Sequence, residues 1–159
     1  RYLIKINYNS LKNNKLNLCY EDAFSYIKNT KNKYDIIIAD RPDPIGAGKS
    51  LFKKEFYKHI NNIISPEGAS VFQSGVPFFQ KKELKTVLKD VSKYFKYSGY
   101  YLTVVPSYVG GFMALVWSSN KVDISKISIS KKKYAVSTNY YNQNILVSSF
   151  IAPNFIKKL

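Results

Sequence analysis

Cysteine and histidine are almost missing from this chain of 159 residues, which has one of each. A lone Cys19 excludes an internal disulfide and is typical of a reducing compartment, so we expect a cytoplasmic protein. The single histidine, His59, lies off the apolar side of its predicted helix and has no cysteine or second histidine to share a metal. We therefore expect a surface position for His59 and no metal site.

Arginine is also scarce, although the net charge is +15. Only Arg1 and Arg41 are arginines, and nearly all other cations are lysines among many Asn, Ile and Tyr residues. Proteins that bind phosphates or base edges favour arginine forks. The excess of lysine is typical of an AT-rich coding background, and the run Lys131–Lys133 is expected to form a solvated face. A basic nucleic-acid-binding module stays open as an alternative.

Residues 97–120 carry no charge, which raises the question of a membrane helix. Pro106 and the pair Gly110-Gly111 interrupt this segment, and β-branched and aromatic residues lie on both sides of the interruption. Two strands joined by a loop explain this pattern better than a membrane span.

Strands and helices alternate along most of the chain. This order predicts an α/β domain with a mostly parallel sheet and helices on both sides. The last two strands follow one another without a helix, so the final strand should be antiparallel. The predicted strands are 16–20, 34–40, 69–74, 99–105 and 111–118; the predicted helices are 22–29, 50–64 with Ser50 as N-cap, and 80–96; 65–68 is a predicted turn.

The segment 38–52, IADRPDPIGAGKSLF, allows two interpretations with opposite ligands. GAGKS resembles the end of a phosphate-binding loop, but Asp43 stands where that motif needs its first glycine. Pro42 and Pro44 supply no N–H, and a carboxylate about 4 Å from a phosphate charge would cost about 4 kcal/mol at an effective dielectric of about 20. The phosphate interpretation therefore fails.

A cation is the better match for this loop. Asp40 ends one predicted strand and Glu21-Asp22 ends the strand before it, and ligands of parallel sheets bind beyond such strand ends. The alternative is that Asp22 only caps a helix and Asp43 only caps a turn. Position alone predicts an acidic pocket but no reaction.

Several ordered motifs resemble those of the spermidine synthases, the polyamine aminopropyltransferases. The resemblance covers about residues 16–155 and includes the bacterial type of C-terminal tail. The motifs are Glu21-Asp22-Ala23, YDIIIADRPDPIGAGKSLFKKEFY (34–57), FQSGVPFFQ (72–80), PSYVGGFMALVW (106–117), YYN (140–142) and SFIAP (149–153).

This resemblance implies transfer of an aminopropyl group from decarboxylated S-adenosylmethionine to putrescine, giving spermidine and 5′-methylthioadenosine. It implies no cofactor, because the sulfonium compound is a co-substrate, and a homodimer or homotetramer. Asp40 is then the proton acceptor. Further polyamine contacts would come from Arg41, Pro42, Asp43, Tyr108 and Gln73, and contacts to the nucleoside from Asp22, Ala23 and Ala47.

The resemblance also implies a fold, the C-terminal half of a Rossmann-like sheet of the adenosylmethionine-dependent methyltransferase type. We expect residues 1–119 to form a partial catalytic domain and 120–159 to form a tail packed on it. The Gly-rich loop of the family is not in the sequence, so we expect the chain to be incomplete and inactive alone. Arg41-Pro42 replaces small or polar residues, and Ala47 replaces a proline. A degenerate, non-catalytic relative is a second alternative.

Overall fold

The computed structural model describes residues 6, 8–126 and 138–158. Within them a four-stranded sheet has the order β1-β2-β4-β3. The strands are β1 (Tyr34–Ala39), β2 (Ile64–Gln73), β3 (Tyr97–Val104) and β4 (Phe112–Ser119); the α-helices are α1 (Ala23–Asn29), α2 (Lys54–Ile63), α3 (Lys81–Val91), α4 (Gln143–Ser149) and α5 (Asn154–Lys157); the 3₁₀ helices are Ser10–Lys12, Gly46–Phe52 and Ile124–Lys126.

The sheet is mixed, as the sequence predicts. β1 and β2 are parallel, whereas β4 lies between β2 and β3 and is antiparallel to both. The uncharged segment around Pro106 is therefore a hairpin of β3 and β4. Every helix among the described residues is too short or too polar to span a bilayer.

One face of the sheet holds the hydrophobic core. Phe72 of β2 and Val116 of β4 are fully buried, and they belong to one cluster with Ile60 of α2 and with Leu84 and Val91 of α3. Side chains that alternate with these residues point to the opposite face. That second face is more open, since Ile38 of β1 is 74% exposed.

Three local predictions are wrong. Residues 16–20 form no strand, because a strand needs a hydrogen-bonded neighbour and the described sheet offers them none. Ser50 does not cap α2, since a 3₁₀ helix fills Gly46–Phe52 and α2 begins at Lys54. The predicted turn 65–68 lies inside β2, where the register jumps from the pair Tyr34–Ile64 to the pair Ile36–Ala69.

Two predictions concern residues expected at the surface. His59 is half-buried rather than fully at the surface, and its ring meets the Phe24 ring edge-on with 5.6 Å between centroids. The run Lys131–Lys133 lies outside the described residues.

Candidate active site

A cavity of about 250 Å³ lies on the open face of the sheet, at the carboxyl ends of β1 and β2. Each of the four strands contributes to its wall. The lining residues are Ile38, Ala39, Asp40, Val71, Gln73, Tyr101 and Leu115. Most of the wall is apolar, with one carboxylate, one amide and one phenol as its polar groups.

Asp40 is the only acidic residue in this wall among the residues that the structure describes, and it is exposed. It follows Ala39, the last residue of β1, which pairs with Phe72 of β2. The apolar strand YDIIIA thus delivers a carboxylate to the point where parallel strands place their ligands. A carboxylate beside apolar walls favours a positively charged ligand.

Gln73 stands beside Asp40 at the end of β2 and is 8% exposed. Its amide Nε2 reaches only the thioether of Met113, at 3.6 Å, and its Oε1 is buried without a hydrogen-bond partner among the described residues. A buried acceptor without a partner costs about 1–3 kcal/mol. The Gln73 amide is therefore not fully satisfied by hydrogen bonds among the described residues.

Asp43 belongs to a neighbouring polar cluster. Its Oδ1 accepts a hydrogen bond from Gln80 Nε2 at 3.2 Å, and the same amide nitrogen donates to Glu83 Oε2 at 3.4 Å. Gln80 Oε1 in turn accepts from the Val76 N–H at 2.7 Å. Gln80 thereby ties the Asp43 loop to the segment that follows β2.

Glu83 is half-buried in this cluster, and burial raises the pKa of its carboxyl. Repulsion from Asp43 raises this pKa further, and the charge of Arg41 lowers it in part. Glu83 Oε1 is buried without a partner among the residues that the structure describes.

Arg41 points away from the cavity. Its side chain is 4% exposed, and its guanidinium stacks on the Phe52 ring with Cζ 3.9 Å from the centroid. The predicted contact between Arg41 and a polyamine therefore cannot run through the guanidinium as it is placed here. Only the backbone of Arg41 is left for that role.

The other predicted site residues lie at separate places. Asp22 caps α1, with its Oδ1 accepting from Ser25 N–H at 2.8 Å, and this bond lowers the pKa of Asp22. Ala23 begins α1, and Tyr108 is 49% exposed in the loop between β3 and β4. Pro42 is exposed, and Ala47 lies in the 3₁₀ helix.

Of the predicted site residues that the structure describes, Asp40 and Gln73 are those that share the cavity. Sequence reasoning missed Tyr101 and Leu115, which face each other across β3 and β4. Tyr101 and Leu115 directly precede the buried residues Leu102 and Val116, so they lie on the opposite face of the sheet. This alternation does not show that the opposite face has a cavity. Gln80 ends the motif 72–80 and Glu83 lies in the first turn of α3, and neither was singled out because no local pattern marks their contacts with Asp43.

No group of three His, Cys, Asp or Glu side chains in the described ranges is arranged to hold a metal ion.

The family model for the Spermine/spermidine synthase domain matches residues 1–129.

The chain belongs to the spermine/spermidine synthase family.

Similar proteins of known name agree with this assignment. The chain is 41% identical over 150 residues to the polyamine aminopropyltransferase of Buchnera aphidicola subsp. Acyrthosiphon pisum (strain Tuc7). This alignment covers 91% of this chain and 52% of that protein. It is 34% identical over 163 residues to the polyamine aminopropyltransferase of Ruegeria sp. (strain TM1040). This alignment covers 99% of this chain and 57% of that protein.

Solved structures of spermidine synthases share the fold. A spermidine synthase in complex with the transition state analogue AdoDATO superposes with a TM-score of 0.83 and 26% identity, over 99% of this chain and 54% of that one. The spermidine synthase of Thermotoga maritima gives a TM-score of 0.81 and 25% identity. The predicted methyltransferase-like fold is thereby confirmed. The chain spans about half the length of the relatives it matches.

Proposed function

We propose that this chain supplies the amine-binding and proton-accepting part of an aminopropyltransferase. The reaction moves an aminopropyl group from decarboxylated S-adenosylmethionine to putrescine and yields spermidine and 5′-methylthioadenosine. The observation that carries the proposal is the position of Asp40 at the end of β1, in the wall of a cavity that is otherwise mostly apolar. The family membership supports the same reaction.

The cavity wall suits a diamine. Methylene groups can pack against Val71 and Leu115, while an ammonium group can approach the Asp40 carboxylate. The side chain of Gln73, which also lines the cavity, supplies a second polar group. Charge-assisted hydrogen bonds of this kind are about twice as strong as neutral ones.

Asp40 can accept the proton that the amine must lose before it reacts. An alkylammonium group has a pKa of about 10.4 and has no free electron pair near neutral pH. Once a proton passes from nitrogen to the Asp40 carboxylate, the nitrogen pair forms a bond to the donor's terminal propyl carbon. The bond from that carbon to sulfur breaks, and sulfur keeps the electron pair as a neutral thioether.

The remaining roles in the proposal follow the family resemblance. Asp43, fixed by Gln80, holds the far part of the diamine together with Tyr108, and Arg41 and Pro42 take part through the loop backbone. Asp22, Ala23 and Ala47 contact the nucleoside. No cofactor takes part, and the dimer or tetramer implied by the resemblance stays a prediction.

The test is the variant Asp40→Asn in the longest natural form of the protein. The loss of a general base typically costs about 10²- to 10⁴-fold in rate, so methylthioadenosine release should fall by that factor. Asp35→Asn is the matched control, because Asp35 is exposed at the start of the same strand and away from the cavity. This control should keep the unmodified rate.

Two results would oppose the proposal. Unchanged turnover in Asp40→Asn removes Asp40 from the proton step. If a natural form that includes the Gly-rich loop of the family folds but releases no methylthioadenosine from donor and putrescine, the degenerate, non-catalytic alternative is correct.

A further inference from the structure

The ends of β1 and β2 carry both cavity side chains, and the described pairing between these two strands ends at the residues just before them. Ala39 and Phe72 form the last pair in the register, and Asp40 and Gln73 come next. Gln73 still pairs with Leu115 of β4, whereas the described pairs between β1 and β2 end at Ala39 and Phe72. The position of Asp40 relative to Gln73 therefore depends on contacts beyond the paired part of β1.

Arg41 supplies a bond at this point. Its Nη2 donates to the Gln73 carbonyl oxygen at 2.8 Å, so a side chain from the end of β1 holds the backbone at the end of β2. Its Nη1 donates to the Leu51 carbonyl oxygen at 2.6 Å and to the Tyr57 hydroxyl at 2.9 Å. One guanidinium thus ties together β1, β2, the 3₁₀ helix and α2.

Burial makes this arrangement rigid. The guanidinium is covered by the Phe52 ring at 3.9 Å, and Arg41 forms no ion pair within the part of the chain that the structure describes. A buried cation needs its hydrogen bonds, because a bond lost there is not replaced by water. A planar fork reaches three acceptors in fixed directions, which an ammonium cannot do.

We propose that Arg41 is a positioning residue that fixes the spacing of Asp40 and Gln73 in the cavity, by bonding the end of β2 from the end of β1. This inference rests on the proposed function for its kinetic consequence, but the structural bond itself does not depend on it. Arg41 acts through its two neighbours and does not touch the substrate with its guanidinium.

The test compares Arg41→Met with Val91→Ala in the longest natural form of the protein. Val91 is fully buried on α3 and does not line the cavity, so its variant controls for lost stability. A misplacement of about 1 Å can cost about 100-fold in rate, so Arg41→Met should lose about 10- to 100-fold in kcat per folded molecule. Val91→Ala should keep the kcat of the unmodified protein.

A second measurement does not depend on activity. Hydrogen exchange of the backbone amides at 38–41 should be at least about tenfold faster in Arg41→Met than in Val91→Ala, because the end of β1 is then released to open locally, whereas β4 still pairs with the end of β2. If the unmodified protein shows no transfer, the proposed function fails while this measurement still tests the bond.

Arg41→Lys is the second variant, to be used alone if Arg41→Met does not fold. It keeps the buried cation but cannot reach all three oxygens, so it should also lower kcat and speed the same exchange. The inference is overturned if the folded variant has the kcat per folded molecule of Val91→Ala, or if exchange at 38–41 stays as slow as in that control.

Discussion

Unpartnered polar atoms gather around the candidate site. Of the four buried side-chain atoms without a hydrogen-bond partner in the described residues, three are Arg41 Nε, Gln73 Oε1 and Glu83 Oε1. Each such atom lowers the stability of the fold by about 1–3 kcal/mol, so stability alone would favour a hydrogen-bond partner for each of them. Their clustering is typical of a region that a ligand or ordered water completes.

Glu83 should make the stability of the fold depend on pH. Because its pKa is raised mainly by burial, the folded protein holds the Glu83 proton more tightly than the unfolded chain does. Stability should therefore fall as the pH rises from the ordinary value of 4.5 through the raised pKa. Glu83→Gln removes this titration, so its stability relative to the unmodified protein should improve between about pH 4 and pH 7.

The measurement is the free energy of unfolding in denaturant across that pH range. Glu67→Gln serves as control, since the Glu67 side chain is 78% exposed. If the stability difference for Glu83→Gln is the same at every pH, the raised pKa is contradicted.

At the scale of elements, the loop from β1 to α2 passes so close to itself at Gly48 that it leaves no room for a side chain. A Cβ added at Gly48 would lie 2.8 Å from the Asp43 carbonyl oxygen and 3.0 Å from Pro42 Cγ. Because the nearer atom belongs to the backbone, the loop would have to shift and Asp43 would move relative to Gln80. Glycine at this position thus shapes the loop rather than cradling a phosphate.

Gly48→Ala should therefore destabilise the protein by about 1–3 kcal/mol, the usual cost of overpacking. It should also raise KM for the amine, since Asp43 loses its fixed position. Thermal unfolding and amine-dependent transfer kinetics check the two effects. Lys49→Ala, at the next and exposed position, should change neither; an equal effect of both variants would show that the close contact is not the cause.

Local patterns predicted most of these elements, and long-range contacts explain the failures. Pro106 and the pair Gly110-Gly111, with β-branched and aromatic residues on both sides, predicted the β3–β4 hairpin. The apolar run ending in Asp40 predicted β1, whereas the role of Asp40 as proton acceptor came from the family resemblance. A pattern cannot give the direction of the Arg41 side chain, because its acceptors lie 10, 16 and 32 residues away. Residues 16–20 have a strand-like pattern, but the described sheet gives them no partner.

At the scale of the whole molecule, the C-terminal segment joins the core of the sheet domain. Ile156 of α5 is 2% exposed and Ala152 is 7% exposed, and both belong to the main hydrophobic cluster. Phe155 stacks on Phe78 with 4.7 Å between ring centroids. The boundary expected between 119 and 120 stays a prediction, but these contacts favour a tail that unfolds together with the sheet.

Ile156→Ala tests this directly. Truncation of a buried isoleucine removes apolar contacts and leaves a cavity, so the free energy of unfolding should fall by about 2–5 kcal/mol. The whole protein should still unfold in one transition, measured both by far-ultraviolet circular dichroism and by the fluorescence of Trp117 in β4. Ile151→Ala is the matched control, because Ile151 is 68% exposed and its truncation should cost little. If the two variants are equally stable, or if the tail melts before the Trp117 signal changes, the tail does not share the core.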